Sequence, residues 1–277
     1  MILLTGGSGQ LGTALRRLLD TVHAPGRDEL DLARPSSLPP AIEALHPSAI
    51  VNCAAYTDVD RAEEEEDLAT TVNCEAVGVM AAIAAAAGIP FVTFSTDYVF
   101  DGTSNAPYVE SSPTAPINVY GVSKELGERA ALAAHPHPLV IRTSWVAAET
   151  HPNFVTGIIE RASREAVQVV SDQVGSPTYA ADLAAATLEA LAAGAGGILH
   201  LANSGQASRF EMARVACEAA GIDPGRVEPA TSEQFPTKAR RPRYSPLASE
   251  RLDEVGIQPL RPWQEAIADL VARLPGD

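Results

Sequence analysis

Cationic charge is scarce in this chain of 277 residues: 20 lysines and arginines stand against 35 aspartates and glutamates, a formal net charge of −15. That balance argues against a surface that neutralises nucleic-acid phosphates or lies on anionic lipid. One local arginine cluster still suffices for a small anionic ligand. Lysine is scarcer still, with only Lys124 and Lys238 beside 18 arginines, so a lysine inside a motif stands out from its background. Cys53, Cys74 and Cys217 have neither an even number nor metal-ligand spacing, and read as small buried hydrophobes in a reducing compartment. A basic N-terminal segment, an apolar run of 18 residues, an internal repeat and a polar low-complexity tract are also missing, so the expectation is a cytoplasmic globular protein without a membrane span. What is present fits that class: 46% hydrophobic residues over this length bury a substantial core.

Short β-branched apolar runs alternate with helical patterns. Strands are expected at 2–5, 49–53, 91–95, 139–143, 167–170 and 198–201, and helices at 11–19, 36–46, 67–88, 119–134, 153–164, 181–193, 208–221 and 263–274. The alternation predicts an α/β protein, a parallel sheet doubly wound with helices on both faces. After about residue 145 strands thin out, and Pro, Gly and polar residues cluster. The expected division is therefore 1–145 and a smaller, helix-rich 146–277, some of whose segments return to the first sheet. The acidic run 63–67 reads as a solvated helix start rather than a metal site.

Three groups of residues carry chemistry. Gly6, Gly9 and Gly12 lie between the first strand and first helix, with Ser8, Gln10 and Leu11 among them. Such glycines allow a tight turn, backbone approach to a pyrophosphate and close helix packing, while the helix start offers free N–H donors. Tyr120 and Lys124 stand at i and i+4 of a predicted helix, so an ammonium is expected beside a phenol, favouring its ionised form. Ser95 and Thr96 end a predicted central strand, where hydroxyls are placed to hydrogen-bond a carbonyl oxygen.

Together these residues resemble the extended short-chain dehydrogenase/reductase superfamily. The stretches Val51-Asn-Cys-Ala-Ala-Tyr-Thr-Asp-Val-Asp60-Arg-Ala-Glu63, Ser95-Thr-Asp-Tyr-Val-Phe-Asp-Gly102, Arg142-Thr-Ser-Trp-Val146, Ser171-Asp-Gln-Val-Gly-Ser-Pro-Thr178 and Pro236-Thr-Lys-Ala-Arg-Arg-Pro242 are similar to those of the dTDP-4-dehydrorhamnose reductase family. The resemblance implies a Rossmann domain at 1–145 that binds NAD(P)H and a second part that binds a dTDP-sugar, a dTDP-4-keto-6-deoxyhexose reduced at C4. It implies Tyr120 as general acid, Lys124 as the residue that tunes it and holds the nicotinamide ribose, and Thr96 as the carbonyl-polarising hydroxyl. Asp31 and Leu32 match an adenine-contacting pair, and Ala54, Ala55 and Tyr56 fall at cofactor positions. Thr57, Val59, Ser95, Tyr98, Trp145, Asn153 and Gln173 fall at sugar positions, and Arg240 and Arg241 at the sugar-nucleotide diphosphate.

Arg27 precedes Asp28 and Glu29, which signal opposite cofactors; the arginine favours NADPH, with NADH left open. Ala14 stands where some relatives are acidic, so no required metal is expected, and a homodimer is left open. The family usually continues after Trp145-Val146 with an aromatic residue and a glycine-rich loop, whereas here Ala147-Ala148-Glu149 follow. A dehydratase needs Asp-Glu after the threonine, and Asp97-Tyr98 argues against it; the family-wide stretches disfavour an epimerase. The intact Thr96, Tyr120 and Lys124 argue against a non-catalytic regulatory subunit.

Overall fold

In the computed structural model, which describes residues 1–275, adjacent apolar residues of each short strand serve opposite layers. Leu3 and Leu4, Ile50 and Val51, and Val140 and Ile141 divide in this way between two buried clusters. The chain runs β1 (Ile2–Thr5), α1 (Gln10–Leu18), β2 (Val22–His23), α2 (Leu38–Leu45), β3 (Ala49–Asn52), α3 (Ala76–Ala87), β4 (Phe91–Thr96), α4 (Val119–Ala134) and β5 (Leu139–Thr143). It continues through α5 (Phe154–Arg164), β6 (Val167–Val170), α6 (Ala180–Ala192), β7 (Gly197–His200), α7 (Arg209–Ala219), β8 (Val227–Ala230) and α8 (Trp263–Ala272).

Six strands form one parallel sheet in the order β7-β5-β4-β3-β1-β2. Leu15 of α1 and Leu183 of α6 cover one face; Ile42 of α2, Met80 of α3 and Ala131 of α4 cover the other. Because α1 and α2 lie on opposite faces, the winding reverses at β1, and a crevice opens beyond the strand C-termini there. The later half of the chain enters this layer through α6 and β7. The predicted strand 167–170 does not join it: β6 pairs in parallel with β8 instead. Helices α5, α7 and α8 complete this second body, with Val155, Met212, Trp263, Ile267 and Leu270 at its centre.

The predicted helix 67–88 is interrupted. Thr71–Glu75 form a π turn between the short helix Glu66–Thr70 and α3. By length and mean hydropathy the whole run Glu66–Ala87 could cross a membrane. Here it is a core element, with Val77, Met80, Ala81 and Ala84 buried in the sheet's second layer. Helix α4 is anchored by a buried ion pair: Arg142 of β5 donates to both carboxylate oxygens of Glu128 at 2.8 and 2.7 Å. Such a pair adds little net stability, but losing either partner would strand a buried charge, so it fixes how α4 sits on the sheet.

Candidate active site

A cavity of about 980 Å³ lies across the C-terminal ends of β1, β3, β4 and β5. Its floor begins at the glycine turn. Gly6 has a φ of +66°, and a Cβ on Gly12 would fall 2.1 Å from the Gly6 carbonyl oxygen, so helix and turn are closer than any side chain permits. No side chain caps the start of α1. Its free N–H groups and positive dipole end therefore face the cavity ready for an anion.

Next to the turn, the loop carrying Ala54, Ala55 and Tyr56 is held by a residue the sequence reading missed. Asn73, in the π turn, accepts from the Tyr56 N–H at 2.8 Å and donates to the Tyr56 carbonyl at 3.0 Å and to Ser123 Oγ at 2.9 Å. Ser123 in turn donates to the Tyr120 carbonyl at 2.8 Å. A buried amide thus ties the loop after β3 to the helix that carries Tyr120 and Lys124.

On α4 the side chains of Tyr120, Lys124 and Glu128 recur every four residues along one face. Burial pulls the Lys124 ammonium down to about 8, against the opposing pull of Glu128. Burial also pushes the Tyr120 phenol above its ordinary range; Thr96 beside it acts in the other direction, and Asp97 and Tyr98 add to the rise. Loss of water is the largest influence on Tyr120, and the phenol keeps its proton at neutral pH. Thr96 donates to Asp97 Oδ1 at 3.1 Å, and Ser245, from the far end of the chain, donates to Asp97 Oδ2 at 2.6 Å. Burial holds the Asp97 carboxyl above its usual range. Ser95 and Thr143 present buried hydroxyls with no hydrogen-bond partner among the described residues, and both line the cavity. A buried unpaired hydroxyl costs about 1–3 kcal/mol, which a polar ligand would remove.

Many of the expected residues meet in this cavity. It is lined by Gly6, Ser8, Gly9, Gln10 and Leu11 of the turn and by Arg27, Asp31 and Leu32 beyond β2. Ala54, Ala55, Tyr56, Thr57, Ser95, Thr96, Tyr120, Lys124 and Trp145 line it as well. Others stand apart from its wall. Tyr98 packs edge-on against Tyr120, ring centroids 5.8 Å apart, and Val59 opens the short helix Val59–Ala62. Asn153 is used locally: its side chain accepts from Val155 and Thr156 as the N-cap of α5 and donates to the Ala148 and His151 carbonyls. Its amide thus ties the start of α5 to the loop before it. Arg241 forks onto Asp60 at 2.8 and 3.1 Å, Arg240 is exposed, and Gln173 lies outside the lining.

The divergent loop after Trp145 leans on the glycine turn. Gln10 accepts from the Ala148 N–H at 2.9 Å and donates to the Val146 carbonyl at 3.4 Å, His151 Nε2 lies 2.7 Å from the Ser8 carbonyl, and Arg17 pairs with Glu149. Trp145 itself has a φ of +46°. A bulky residue in that region carries about 1–3 kcal/mol of strain and persists only where its surroundings dictate it.

An uncapped helix start at the winding reversal, and a phenol and ammonium on one helix face beside a threonine, define a nucleotide-cofactor oxidoreductase of the short-chain dehydrogenase/reductase type. The RmlD substrate binding domain family model matches residues 1–275. A dTDP-4-dehydrorhamnose reductase of Mycolicibacterium smegmatis is 41% identical, over 99% of this chain and 86% of that protein. A probable dTDP-4,6-dihydroxy-2-methyloxan-3-one 4-ketoreductase of Streptomyces antibioticus is also 41% identical, over 96% and 93%. The crystal structure of dTDP-4-dehydrorhamnose reductase from Bacillus anthracis in complex with NADP superposes with a TM-score of 0.94 at 34% identity, covering 98% of each chain. The chain belongs to the dTDP-4-dehydrorhamnose reductase family.

Proposed function

We propose that this chain uses NADPH to reduce the C4 ketone of a dTDP-4-keto-6-deoxyhexose, either dTDP-4-dehydro-L-rhamnose or a related deoxysugar. The observation that carries this reading is the convergence of Thr96, Tyr120 and Lys124 on the cavity that begins at the glycine turn. The cradle at Gly6 and Gly12, the free N–H groups of α1 and the unpaired hydroxyls of Ser95 and Thr143 fit a dinucleotide. When bound, its nicotinamide supplies the hydride. The turn and the start of α1 hold the diphosphate, Lys124 the nicotinamide ribose, and exposed Arg27 the additional phosphate of NADPH.

Tyr120 does the proton chemistry. Its buried phenol is neutral at working pH, so it can donate its proton to the oxygen that develops at the sugar carbonyl. Thr96 turns its hydroxyl from Asp97 toward that oxygen and stabilises the growing negative charge. The charged form of Lys124 then favours the phenolate left behind. Residues 146–277 supply most of the sugar-nucleotide site, and the three free thiols accord with a cytoplasmic enzyme.

The test follows oxidation of NADPH and NADH with dTDP-4-keto-6-deoxyglucose, generated in place by a dehydratase, with and without a 3,5-epimerase. NADPH oxidation that requires the epimerase and falls about 10²–10⁴-fold in Tyr120→Phe is the expected result. Oxidation without the epimerase would move the substrate to the D-sugar. Absence of oxidation in both arms, or turnover that survives Tyr120→Phe, would overturn the assignment.

A further inference from the structure

Arg209 breaks a local rule. It is the first residue of α7, directly after the Ser208 N-cap, and so places a cation at the positive end of an 11-residue helix where a carboxylate is favoured. Its position is tightly set: Ser208 and Glu211 form a capping box, and the Arg209 N–H donates to the Gln173 carbonyl at 3.3 Å. The guanidinium lies 3.6 Å from the centroid of Trp145 and 5.1 Å from that of Phe154, with Tyr98 beside it. Among the described residues, no carboxylate stands within 4.0 Å of it. Arg241, the nearby cation, is by contrast neutralised by Asp60.

A half-buried guanidinium stacked on aromatic rings, with N–H donors uncommitted to any carboxylate, is arranged for a ligand's oxygen. Its surroundings narrow the choice. Trp145 lines the cavity with Thr96 and Tyr120, and Tyr98 packs on Tyr120, so the guanidinium stands by the end of the cavity that holds these two hydroxyls. A sugar held with its carbonyl at Thr96 and Tyr120 brings its ring oxygen and neighbouring hydroxyls, which are neutral acceptors, towards Arg209. Gly175 keeps the indole in place, since a Cβ there would fall 2.5 Å from Trp145 Cε2.

We propose that Arg209 is a sugar-binding, specificity-determining residue that forms one wall of the hexose site with Trp145 and donates to a ring oxygen or hydroxyl of the hexose. The inference rests on the proposed function for the identity of the sugar nucleotide, but its test does not depend on turnover. The affinities of dTDP-L-rhamnose, dTDP and NADPH are measured by calorimetry for the wild type, Arg209→Met and Arg209→Lys. The gain of dTDP-L-rhamnose over dTDP is expected to shrink at least 10-fold in Arg209→Met, with dTDP and NADPH affinities unchanged within twofold. Arg209→Lys is expected to restore little of it, because an ammonium neither forks nor stacks in this way. Unchanged NADPH binding in both variants shows that the fold is intact. Loss of dTDP affinity in step with dTDP-L-rhamnose would place Arg209 at the diphosphate and overturn the proposal. So would an unchanged preference for the sugar, or a wild type that binds dTDP-L-rhamnose no better than dTDP. If the binding pattern holds while no keto-sugar is reduced, the reductase reading fails and this one stands.

Discussion

Replacing Lys124 by methionine removes an ammonium that folding takes almost wholly out of water while keeping a side chain of similar length; only 5% of Lys124 is exposed. Its protonated form is disfavoured in the folded protein, where it titrates near 8, against an ordinary value of 10.5. At about 1.4 kcal/mol per pH unit, the difference opposes folding by about 3 kcal/mol wherever both states carry the proton. The penalty is full below pH 8. Between 8 and 10.5 the unfolded chain binds more protons than the folded one, so stability rises with pH and the penalty fades. Urea unfolding of cofactor-free protein at pH 7 and pH 10, wild type beside Lys124→Met, isolates this contribution, since other titrating groups are common to both. The variant is expected to be more stable by about 3 kcal/mol at pH 7 and by about 1 kcal/mol at pH 10. A gap that is equal at the two pH values, or wider at pH 10, would refute the reasoning. The same variant is expected to bind NADPH more weakly, a sign that this lysine is kept for function at a cost in stability.

Two further perturbations test the cofactor side. Arg27→Ala is expected to weaken NADPH much more than NADH, because Arg27 lines the cavity, is exposed and makes no ion pair among the described residues; equal losses by fluorescence titration would remove it from cofactor selection. Gln10→Ala severs the tie between the start of α1 and the loop after Trp145, leaving the Ala148 N–H unpaired. It is expected to destabilise the protein by about 1–3 kcal/mol and to loosen NADPH, read by denaturant midpoint and by KM, whereas an unchanged midpoint would show the loop to be held by its other contacts.

The sheet strands were legible from residues 2–5, 49–52 and 139–143 because short β-branched runs bounded by turn residues are local signals, and adjacent residues there serve opposite faces by the two-residue period alone. The glycine turn and the Tyr120–Lys124 pair were legible for the same reason: each depends on spacing along a few residues. Partner choice is not local. Val167–Val170 reads like any buried strand, yet pairs with Val227–Ala230 because α5 and α7 pack around that pair and hold it outside the main sheet. That Asn153 caps the start of α5 is likewise seen only once the chain has turned there. Asn73 and Arg209 carry no motif that marks them; one acts through a π turn that only packing against α4 reveals, the other through an indole contributed by a distant strand end.

Sequence by itself thus determined the α/β alternation, the glycine turn between β1 and α1 and the four-residue spacing of Tyr120 and Lys124, since these follow from composition and short spacings. Tertiary structure alone decided the protonation of those residues, the joining of Ser245 to Asp97 and the stacking of Arg209 on Trp145. The physical reason is that desolvation and contact between distant segments exist only after the chain has closed on itself.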